Sequence, residues 1–233
     1  MNNKKKIVVL TGAGVSAESG IKTFRDAGGL WEGHDVMEVA SFDGWLRNKE
    51  LVLDFYNQRR KQALTAKPNQ GHIGLATLEK DFEVVIVTQN VDNLHERAGS
   101  SNVIHLHGEL FKSRSTVDEN LVYEIDDGEV NIGDHCEKGS QLRPHIVWFG
   151  EMVPMMVVAA REAVSADIFI VVGTSLAVYP AAGLIDYVGS EIPKFIIDPN
   201  MPSIYPRSEL FLFEENGSTG VKKVADILRK IYL

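Results

Sequence analysis

Cysteine is scarce in this sequence, whose 233 residues include only one, Cys136. A single cysteine permits no disulfide within the chain and cannot build a cysteine-rich zinc site, so a reducing compartment is the natural setting. No apolar run approaches the roughly 20 residues that cross a bilayer, and the polar, basic start at residues 1–6 is not followed by a cleavable signal segment. The sequence therefore predicts a cytoplasmic protein without a membrane partner.

Positive charge is also in short supply. The sequence has 24 Lys and Arg residues against 32 Asp and Glu residues, which gives a formal net charge of −8. That balance disfavours nucleic acid as a main partner, because phosphate backbones attract basic surfaces. The hydrophobic fraction of 44% is that of an ordinary globular protein. We therefore expect a single unit over residues 1–233, either one large domain or a domain with an insertion.

Short runs rich in Val, Ile and Phe alternate with stretches of helical spacing. The runs have the length of strands and cover residues 6–10, 82–87, 103–106, 168–172 and 194–197. The helical stretches cover residues 51–66, 71–79, 157–164, 181–188 and 221–232. Near-continuously apolar strands that alternate with helices predict an α/β fold, a Rossmann-like doubly wound parallel sheet covered on both faces.

Two stretches do not fit this alternation. Residues 28–60 are expected to be loop and helix with no strand, and residues 112–142 are polar and irregular. We interpret them as insertions that form a small lobe. The expected boundaries are about 31–66 and 112–142 for this lobe, and 1–30, 67–111 and 143–233 for the Rossmann-like domain.

In open α/β sheets the ligand binds outside the carboxyl ends of the strands, so the residues after each apolar run come first. Residues 12–17, with the sequence GAGVSA, follow the first strand and satisfy the pattern G-x-G-x-x-A. Small residues such as Gly12 and Gly14 let the backbone approach a pyrophosphate. An ordinary glycine turn fits this motif equally well. The acidic residue that dehydrogenases carry about 20 residues later is missing, which disfavours hydride transfer.

The other strand ends carry polar side chains as well. Gln89, Asn90 and Asp92 follow the second run, and alternation places both His105 and His107 on one face of the third. We expect one of these histidines to be structural and the other to face the crevice. A second small-residue turn follows the fourth run at residues 173–175. Asp198 ends the fifth, where it could bind a ribose hydroxyl or serve as a cap or turn acid.

Together these blocks identify a family. Residues 12–16, 23–25, 88–92, 105–108, 147–151, 173–175 and 179–181 read GAGVS, TFR, TQNVD, HLHG, VWFGE, GTS and YPA. In this order, over nearly the whole chain, they resemble the sirtuins. The resemblance implies NAD-dependent removal of acyl groups from protein lysines, with nicotinamide and O-acyl-ADP-ribose as products. It also implies acyl-lysine proteins or peptides as partners.

The resemblance also implies roles for individual residues. His107 matches the catalytic base of the family, and a neutral imidazole near pH 7 suits that task. Phe24 would shield the reactive carbon from water and from returning nicotinamide. The full set expected to bind NAD is Gly12, Ala13, Gly14, Ser16, Phe24, Arg25, Gln89, Asn90, Asp92, Gly173, Thr174, Ser175 and Asp198.

Substrate contacts follow in the same way. The main chain of Val147, Phe149, Gly150 and Glu151 would pair with an extended peptide. Tyr56 and Arg59 lie three positions apart, on one helix face, and without the resemblance they could be an ordinary helix surface. With it, they match the pair by which some sirtuins bind the carboxylate of succinyl- or malonyl-lysine. Ala40 matches the small residue that widens the pocket, so a desuccinylase that also accepts acetyl-lysine is expected.

The chain departs from the family at the metal site. Most sirtuins hold a zinc ion with four cysteines, but here the corresponding region has Ser115 near the first ligand position and only Cys136 in its second half. His135 adds one nitrogen, which leaves the four ligands of a structural site incomplete. We therefore expect no zinc and a hairpin near residues 121–125 in place of the ribbon. Packing would hold the lobe through Val117, Leu121, Val122, Tyr123, Ile125, Val130 and Ile132.

Two other functions remain open from the sequence. A protein ADP-ribosyltransferase would use the same NAD site, with an attacking side chain in place of the acyl oxygen. A non-catalytic module that binds NAD or ADP-ribose would need neither His107 nor Asn90 and Asp92, whose presence speaks against it.

Overall fold

A computed structural model describes residues 4–22, 30–31, 33–125 and 128–233, with backbone only at residues 30 and 31. The strands of this part of the chain are β1 Lys6–Thr11, β2 Leu30–Trp31, β3 His34–Asp35, β4 Glu83–Thr88, β5 Val103–His105, β6 Gly108–Ser115, β7 Val122–Glu124, β8 Leu142–Ile146, β9 Ile168–Val172, β10 Lys194–Ile197 and β11 Leu210–Phe213. The α-helices are α1 Ala13–Ala17, α2 Val36–Val39, α3 Phe42–Arg47, α4 Lys49–Thr65, α5 Gln70–Leu78, α6 Leu94–Ala98, α7 Met156–Val164 and α8 Gly217–Tyr232. A 3₁₀ helix covers Ala181–Tyr187.

The central sheet is parallel and has the order β11-β10-β9-β1-β4-β5. From β1 the chain builds outward through β4 and β5 on one side and through β9, β10 and β11 on the other. This reversal creates a crevice at the carboxyl ends of β1, β4 and β9, where such sheets bind ligands. The five predicted strands are confirmed. Strand β11, at the edge, was not predicted.

Helices cover both faces of this sheet, as the apolar strands predicted. Ile7 and Val9 of β1 point to one face, where Leu75 of α5 and Leu228 of α8 pack against them. The alternate β1 residues, Val8 and Leu10, point to the other face, against Ala159 of α7 and Leu184 of the 3₁₀ helix. Because both faces are buried, β1 contains no polar residue between Ile7 and Leu10.

The small lobe has its own core and its own sheet. Strands β7, β6 and β8 pair antiparallel in that order, so β6 and β7 form the expected hairpin. The core joins α2, α3 and α4 to this sheet through Trp45, Tyr56, Val130 and Trp148. Asn57 of α4 adds polar contacts, because its Nδ2 donates to the Val130 carbonyl at 3.1 Å and its Oδ1 accepts from the Val130 amide at 3.0 Å.

Two expectations for the lobe are wrong. Residues 28–60 were expected to contain no strand, but β2 and β3 pair antiparallel there. Strands of two residues are too short for an alternating pattern to show in the sequence. Ile125 and Val130 are buried as expected, whereas Val117, Val122 and Ile132 are exposed. The largest share of the lobe's core comes from α4, and the hairpin adds only Leu110 of β6 and Ile125.

Within the described residues, no helix is both long enough and apolar enough to pass through a bilayer.

Candidate active site

The glycine turns after β1 and β9 fit against each other. The Gly12 amide donates to the Val172 carbonyl at 3.0 Å, and the Gly14 amide donates to the Gly173 carbonyl at 2.8 Å. A Cβ on Gly173, whose φ is +63°, would lie 2.2 Å from the Val15 nitrogen. Glycine is therefore required at position 173 because the two turns are in contact. The expected reason was different, namely the approach of the backbone to a pyrophosphate. Both turns lie at the carboxyl ends of their strands, and Gly12 and Gly173 are buried.

Ser16 is the centre of a buried polar cluster beneath these turns. Its hydroxyl donates to Asp92 Oδ2 at 3.1 Å and accepts from Asn90 Nδ2 at 3.0 Å. His72 Nε2 lies 3.3 Å from the same oxygen. Since His72 Nδ1 accepts from the Asn69 amide, Nε2 is the nitrogen that carries the proton. The structure thus joins three of the predicted NAD residues, Ser16, Asn90 and Asp92, through one oxygen atom.

The Asp92 carboxylate is almost fully removed from solvent. Burial raises its pKa, while hydrogen bonds from the Leu94 amide and the Ser16 hydroxyl work in the opposite direction without cancelling the shift. A buried carboxylate of this kind gains strongly from any further donor. Asp92 is therefore suited to accept hydrogen bonds from a ligand that enters the crevice.

His107 has the state that a general base requires. Its Nδ1 lies 3.0 Å from the Gln89 carbonyl oxygen, and because a carbonyl only accepts, Nδ1 carries the proton. Nε2 is then left with its lone pair. Burial lowers the pKa of the imidazole, against the smaller raising effect of the Gln89 bond. The ring is neutral at pH 7 and can accept a proton at Nε2. Gln89 in turn donates from Nε2 to Thr174 Oγ1 at 3.1 Å, which links β4 to the turn after β9.

His105 lies on the same face of the chain as His107, as alternation predicted, but its pKa is shifted in the opposite direction. Its Nδ1 lies 3.2 Å from the Asn90 carbonyl oxygen and its Nε2 lies 2.6 Å from Glu96 Oε1. Burial alone would lower its pKa. The hydrogen bond and charge of Glu96 outweigh burial, and the pKa is raised.

Several buried polar residues support the site without having been predicted. Thr11 Oγ1 donates to Thr88 Oγ1 at 2.8 Å and lies 3.0 Å from His95 Nε2. Thr88 Oγ1 also accepts from the Asn90 amide at 3.0 Å. The available signal was a threonine at the end of each of two adjacent apolar strands, β1 and β4. A hydroxyl in that position needs a buried partner.

The segment expected to bind the substrate peptide runs from the base to the small lobe. The Val147 amide donates to the His107 carbonyl at 2.9 Å, and the Phe149 amide donates to the Ala40 carbonyl at 3.0 Å. Phe149 and Gly150 are exposed, and Gly150 has a φ of +88°. The Glu151 carboxylate instead bonds within the chain, to Arg143 Nη1 at 2.7 Å and to the Trp148 amide at 2.9 Å. The contacts of the Glu151 carboxylate thus hold this segment in place.

The predicted acyl pair lies inside the small lobe. Tyr56 is fully buried and its hydroxyl accepts from Trp148 Nε1 at 3.1 Å, while burial raises the pKa of the phenol. Arg59 is 7% exposed and Ala40 is 3% exposed. An ordinary helix surface would leave Tyr56 and Arg59 in water, so that alternative is wrong. Whether the pair binds an acyl group stays a prediction.

The remaining predicted residues divide into two groups. Phe24 and Arg25 lie outside the described residues. Asp198 is buried, and its Oδ1 accepts from the Asn200 amide at 2.8 Å, the geometry of a turn acid. Contact of Asp198 with a ribose stays a prediction, as do the NAD-binding roles of Ala13, Ser175 and all the other residues of the predicted set.

The chemistry of this crevice fits NAD. Amide groups on Gln89 and Asn90 can pair with a carboxamide or with hydroxyls, and the Asp92 carboxylate can accept from a ribose hydroxyl. The turns at Gly12 and Gly173 pack closely against each other, and their binding to a phosphate stays a prediction.

Zinc does not fit the region where most members of the suggested family hold it. The Cys136 thiol lies 3.3 Å from Ser115 Oγ and 3.2 Å from Ser140 Oγ, so hydroxyls occupy its hydrogen-bonding positions. Across the part of the chain that the structure describes, no group of three or more His, Cys, Asp and Glu side chains could hold a metal ion. Structural zinc sites in proteins use four such ligands.

Comparisons with known proteins show which family the chain is similar to. Residues 12–180 match the model of the Sir2 family. A protein from Bacteroides thetaiotaomicron named NAD-dependent protein deacylase is 51% identical, over 96% of this chain and 98% of that protein. A Sir2 homologue–NAD complex is 40% identical with a TM-score of 0.86, over 98% of this chain and 91% of that one.

A second similar structure contains a peptide. It is a Sir2 complex with deacetylated p53 peptide and 3'-O-acetyl ADP ribose, 31% identical with a TM-score of 0.78, and the match covers 99% of this chain and 95% of that one. The family match alone spans well over half of the sequence. The chain therefore belongs to the Sir2 family.

Proposed function

We propose that this protein is an NAD-dependent protein-lysine deacylase that removes succinyl and malonyl groups, and acetyl groups as well. The observation that carries the proposal is the state of His107. A neutral imidazole with its proton on Nδ1 and a lone pair on Nε2 stands beside Gln89, Asn90 and Asp92 at the switch point of the sheet. A module that only binds NAD has no need of a base in this state.

The residues of the chain divide the work. NAD, when bound, supplies the ribose carbon that receives the acyl oxygen, with nicotinamide as the leaving group. Asn90 and Asp92 hold the ribose and the carboxamide, fixed from below by Ser16. His107 Nε2 then takes a proton from a ribose hydroxyl, a step that contributes about 10²- to 10⁴-fold in enzymes of many kinds. The Gln89 carbonyl keeps the imidazole in the tautomer that can do so.

The substrate is an acyl-lysine within an extended stretch of protein. Its main chain would pair with residues 147–151, a mode that selects lysine segments by backbone more than by side chain. This segment is fixed at one end by the His107 carbonyl and at the other by Glu151. The same contacts therefore set the distance from the peptide to the base.

The acyl preference rests on Tyr56 and Arg59. A charge-assisted hydrogen bond contributes about 1.5–3 kcal/mol, so Arg59 would favour an acidic acyl group by about 10- to 100-fold. The burial of both side chains supports this, because a carboxylate inside the lobe is shielded from water. We further propose that the protein works in the cytoplasm and without zinc.

Rates with acetyl-, succinyl- and longer acyl-lysine peptides test this function. We expect NAD-dependent release of nicotinamide and of free lysine, fastest with succinyl-lysine. NAD labelled in its adenosine part should leave its label in a small product. If the label stays on the protein, the chain is an ADP-ribosyltransferase, and if nicotinamide is not released, it is a binding module.

The Arg59→Met variant tests the acyl preference. We expect it to lose about 10- to 100-fold on succinyl-lysine while its acetyl-lysine rate changes little. Lys61→Met is the matched control, since Lys61 is on the same helix with an exposed side chain. Equal losses on both peptides would exclude Arg59 as the specificity residue.

A further inference from the structure

Two histidines of one short segment bind two consecutive carbonyl groups. His107 Nδ1 lies 3.0 Å from the Gln89 oxygen, and His105 Nδ1 lies 3.2 Å from the Asn90 oxygen. The alternating geometry of the segment from β5 to β6 puts both rings on one side. The carbonyl groups of Gln89 and Asn90 are thus both held by the segment that also carries the base.

The two rings differ at Nε2. His107 Nε2 carries the lone pair of the proposed base, whereas His105 Nε2 is hydrogen-bonded to Glu96 Oε1 at 2.6 Å. His105 is the last residue of the edge strand β5, yet its side chain is only 9% exposed. A buried ring that is hydrogen-bonded at both nitrogens cannot turn, and it cannot exchange one carbonyl partner for another.

We propose that His105 is a positioning residue for NAD. Its Nδ1–H holds the Asn90 carbonyl so that the Asn90 side chain and Asp92 face the cofactor, and Glu96 fixes the ring that does this. The inference rests on the proposed function. It extends that function to a residue which touches neither substrate nor the reacting atoms.

The connections of Asn90 show why its carbonyl matters. The Asn90 amide donates to Thr88 Oγ1 at 3.0 Å, and its side chain donates to Ser16 Oγ at 3.0 Å. The carbonyl is its third anchor, and His105 alone supplies it among the described residues. Without this anchor the peptide group between residues 90 and 91 can rotate, and Asp92, two residues on, moves with it.

The charges around His105 favour the imidazolium form. Glu96 on α6 and Glu109 on β6 raise its pKa, and the Asp92 carboxylate is stabilised by the same ring. His95, on α6, faces it as a neutral base, because burial lowers the pKa of His95 well below the usual value. Lys112 lies 3.1 Å from Glu109 and moderates that charge.

Three substitutions at position 105 separate positioning from general stability. His105→Asn keeps a donor where Nδ1 stands, His105→Gln moves the donor to the place of Nε2, and His105→Ala removes both. We measure the Kd of NAD by calorimetry without turnover, and the KM of an acyl-peptide by nicotinamide release. The Ala and Gln variants should raise the Kd of NAD by about 3- to 10-fold, and Asn should stay within about twofold of the wild type. The acyl-peptide KM should not change.

A second pair of variants covers the case in which position 105 tolerates no change. Glu96→Gln weakens the hold on the His105 ring, whereas Glu109→Gln removes an equal charge that does not bond to it. We expect a raised Kd of NAD for Glu96→Gln only, and a larger fall in the pKa of His105 by NMR in that variant than in Glu109→Gln.

These measurements can overturn the proposal. It fails if His105→Asn is no better than His105→Gln, if the acyl-peptide KM rises together with the Kd of NAD, or if Glu96→Gln and Glu109→Gln behave alike. Failure of the proposed function looks different, because the wild-type protein would then release no nicotinamide from NAD with any acyl-peptide.

Discussion

The crevice at the strand ends and the Cys136 end of the small lobe are both built from polar side chains, but in different ways. At the strand ends, Ser16, Asn90 and Asp92 are buried and bond to one another across residues distant in sequence. At the end of the lobe, Cys136 lies between two serine hydroxyls, and an exposed ion pair joins Lys138 to Asp118 at 2.7 Å.

The difference teaches where this protein can tolerate change. A buried polar group that loses its partner costs about 1–3 kcal/mol, so each member of the strand-end cluster depends on the others. An exposed ion pair contributes about 0–1 kcal/mol, and a buried thiol behaves as a small apolar group with a weak donor. We therefore expect substitutions to be costly at the strand ends and mild around Cys136 at the end of the lobe.

The largest expected effect is that of His107→Ala. Loss of the base should lower kcat for deacylation by about two to four orders of magnitude, while the melting temperature changes little. His135→Ala is the matched control, since His135 is an exposed histidine in the small lobe. A comparable loss of rate in both variants would remove the proposed distinction between the two regions.

An intermediate effect is expected on acidification. Burial lowers the pKa of His72 to about 4, from an ordinary value of 6.5. Between these values the unfolded chain binds a proton that the folded chain does not, so this contribution to stability is complete above pH 6.5 and is lost as the pH falls towards 4. The loss should reach about 2–3 kcal/mol by pH 4.5, reduced somewhat by Asp92, whose raised pKa acts in the opposite direction.

Urea unfolding at pH 7, 5.5 and 4.5 measures this loss. The His72→Gln variant keeps a donor towards Ser16 but cannot bind a proton, so its stability should depend less on pH than that of the wild type. If the two proteins lose the same free energy of unfolding between pH 7 and 4.5, the acid sensitivity lies elsewhere in the molecule.

The smallest effects are expected around Cys136 at the end of the lobe. A chelator should leave the deacylation rate within about twofold, and Cys136→Ser should lower the free energy of unfolding by about 1 kcal/mol or less. Rates with and without chelator, followed by the metal content of the purified protein, check this. Loss of activity on chelation, restored by zinc, would show that the lobe binds metal after all.

The sequence predicted the centre of the fold well and its margins poorly. The strands near β1 are buried on both faces, and their apolar runs left no other assignment. At the edge, residues 210–213 read LFLF, an apolar run of strand length, so the sequence carried the signal for β11 although this strand was not predicted. The hairpin of β2 and β3 was missed because two-residue strands have no readable period.

The predicted site residues are those that directly follow strands, whereas buried residues that support them from neighbouring helices were not predicted. Gln89, Asn90, Asp92 and His107 follow strands directly, so position along the chain indicated them. His72 lies on α5, far from any strand end, and contacts Ser16 only because the helix packs over the first turn. Such a contact depends on three-dimensional packing, which local spacing does not encode.

The fit between the two glycine turns has a consequence for how a cofactor is received. The Gly12 amide already donates to Val172, the last residue of β9, and the Gly14 amide donates to Gly173 in the turn that follows. The conformational entropy of this loop is therefore lost when the protein folds, and a ligand that arrives later does not have to supply it. At this turn, affinity for the cofactor should follow the integrity of the β1–β9 pair, and variants that loosen these strands should weaken binding before they unfold the chain.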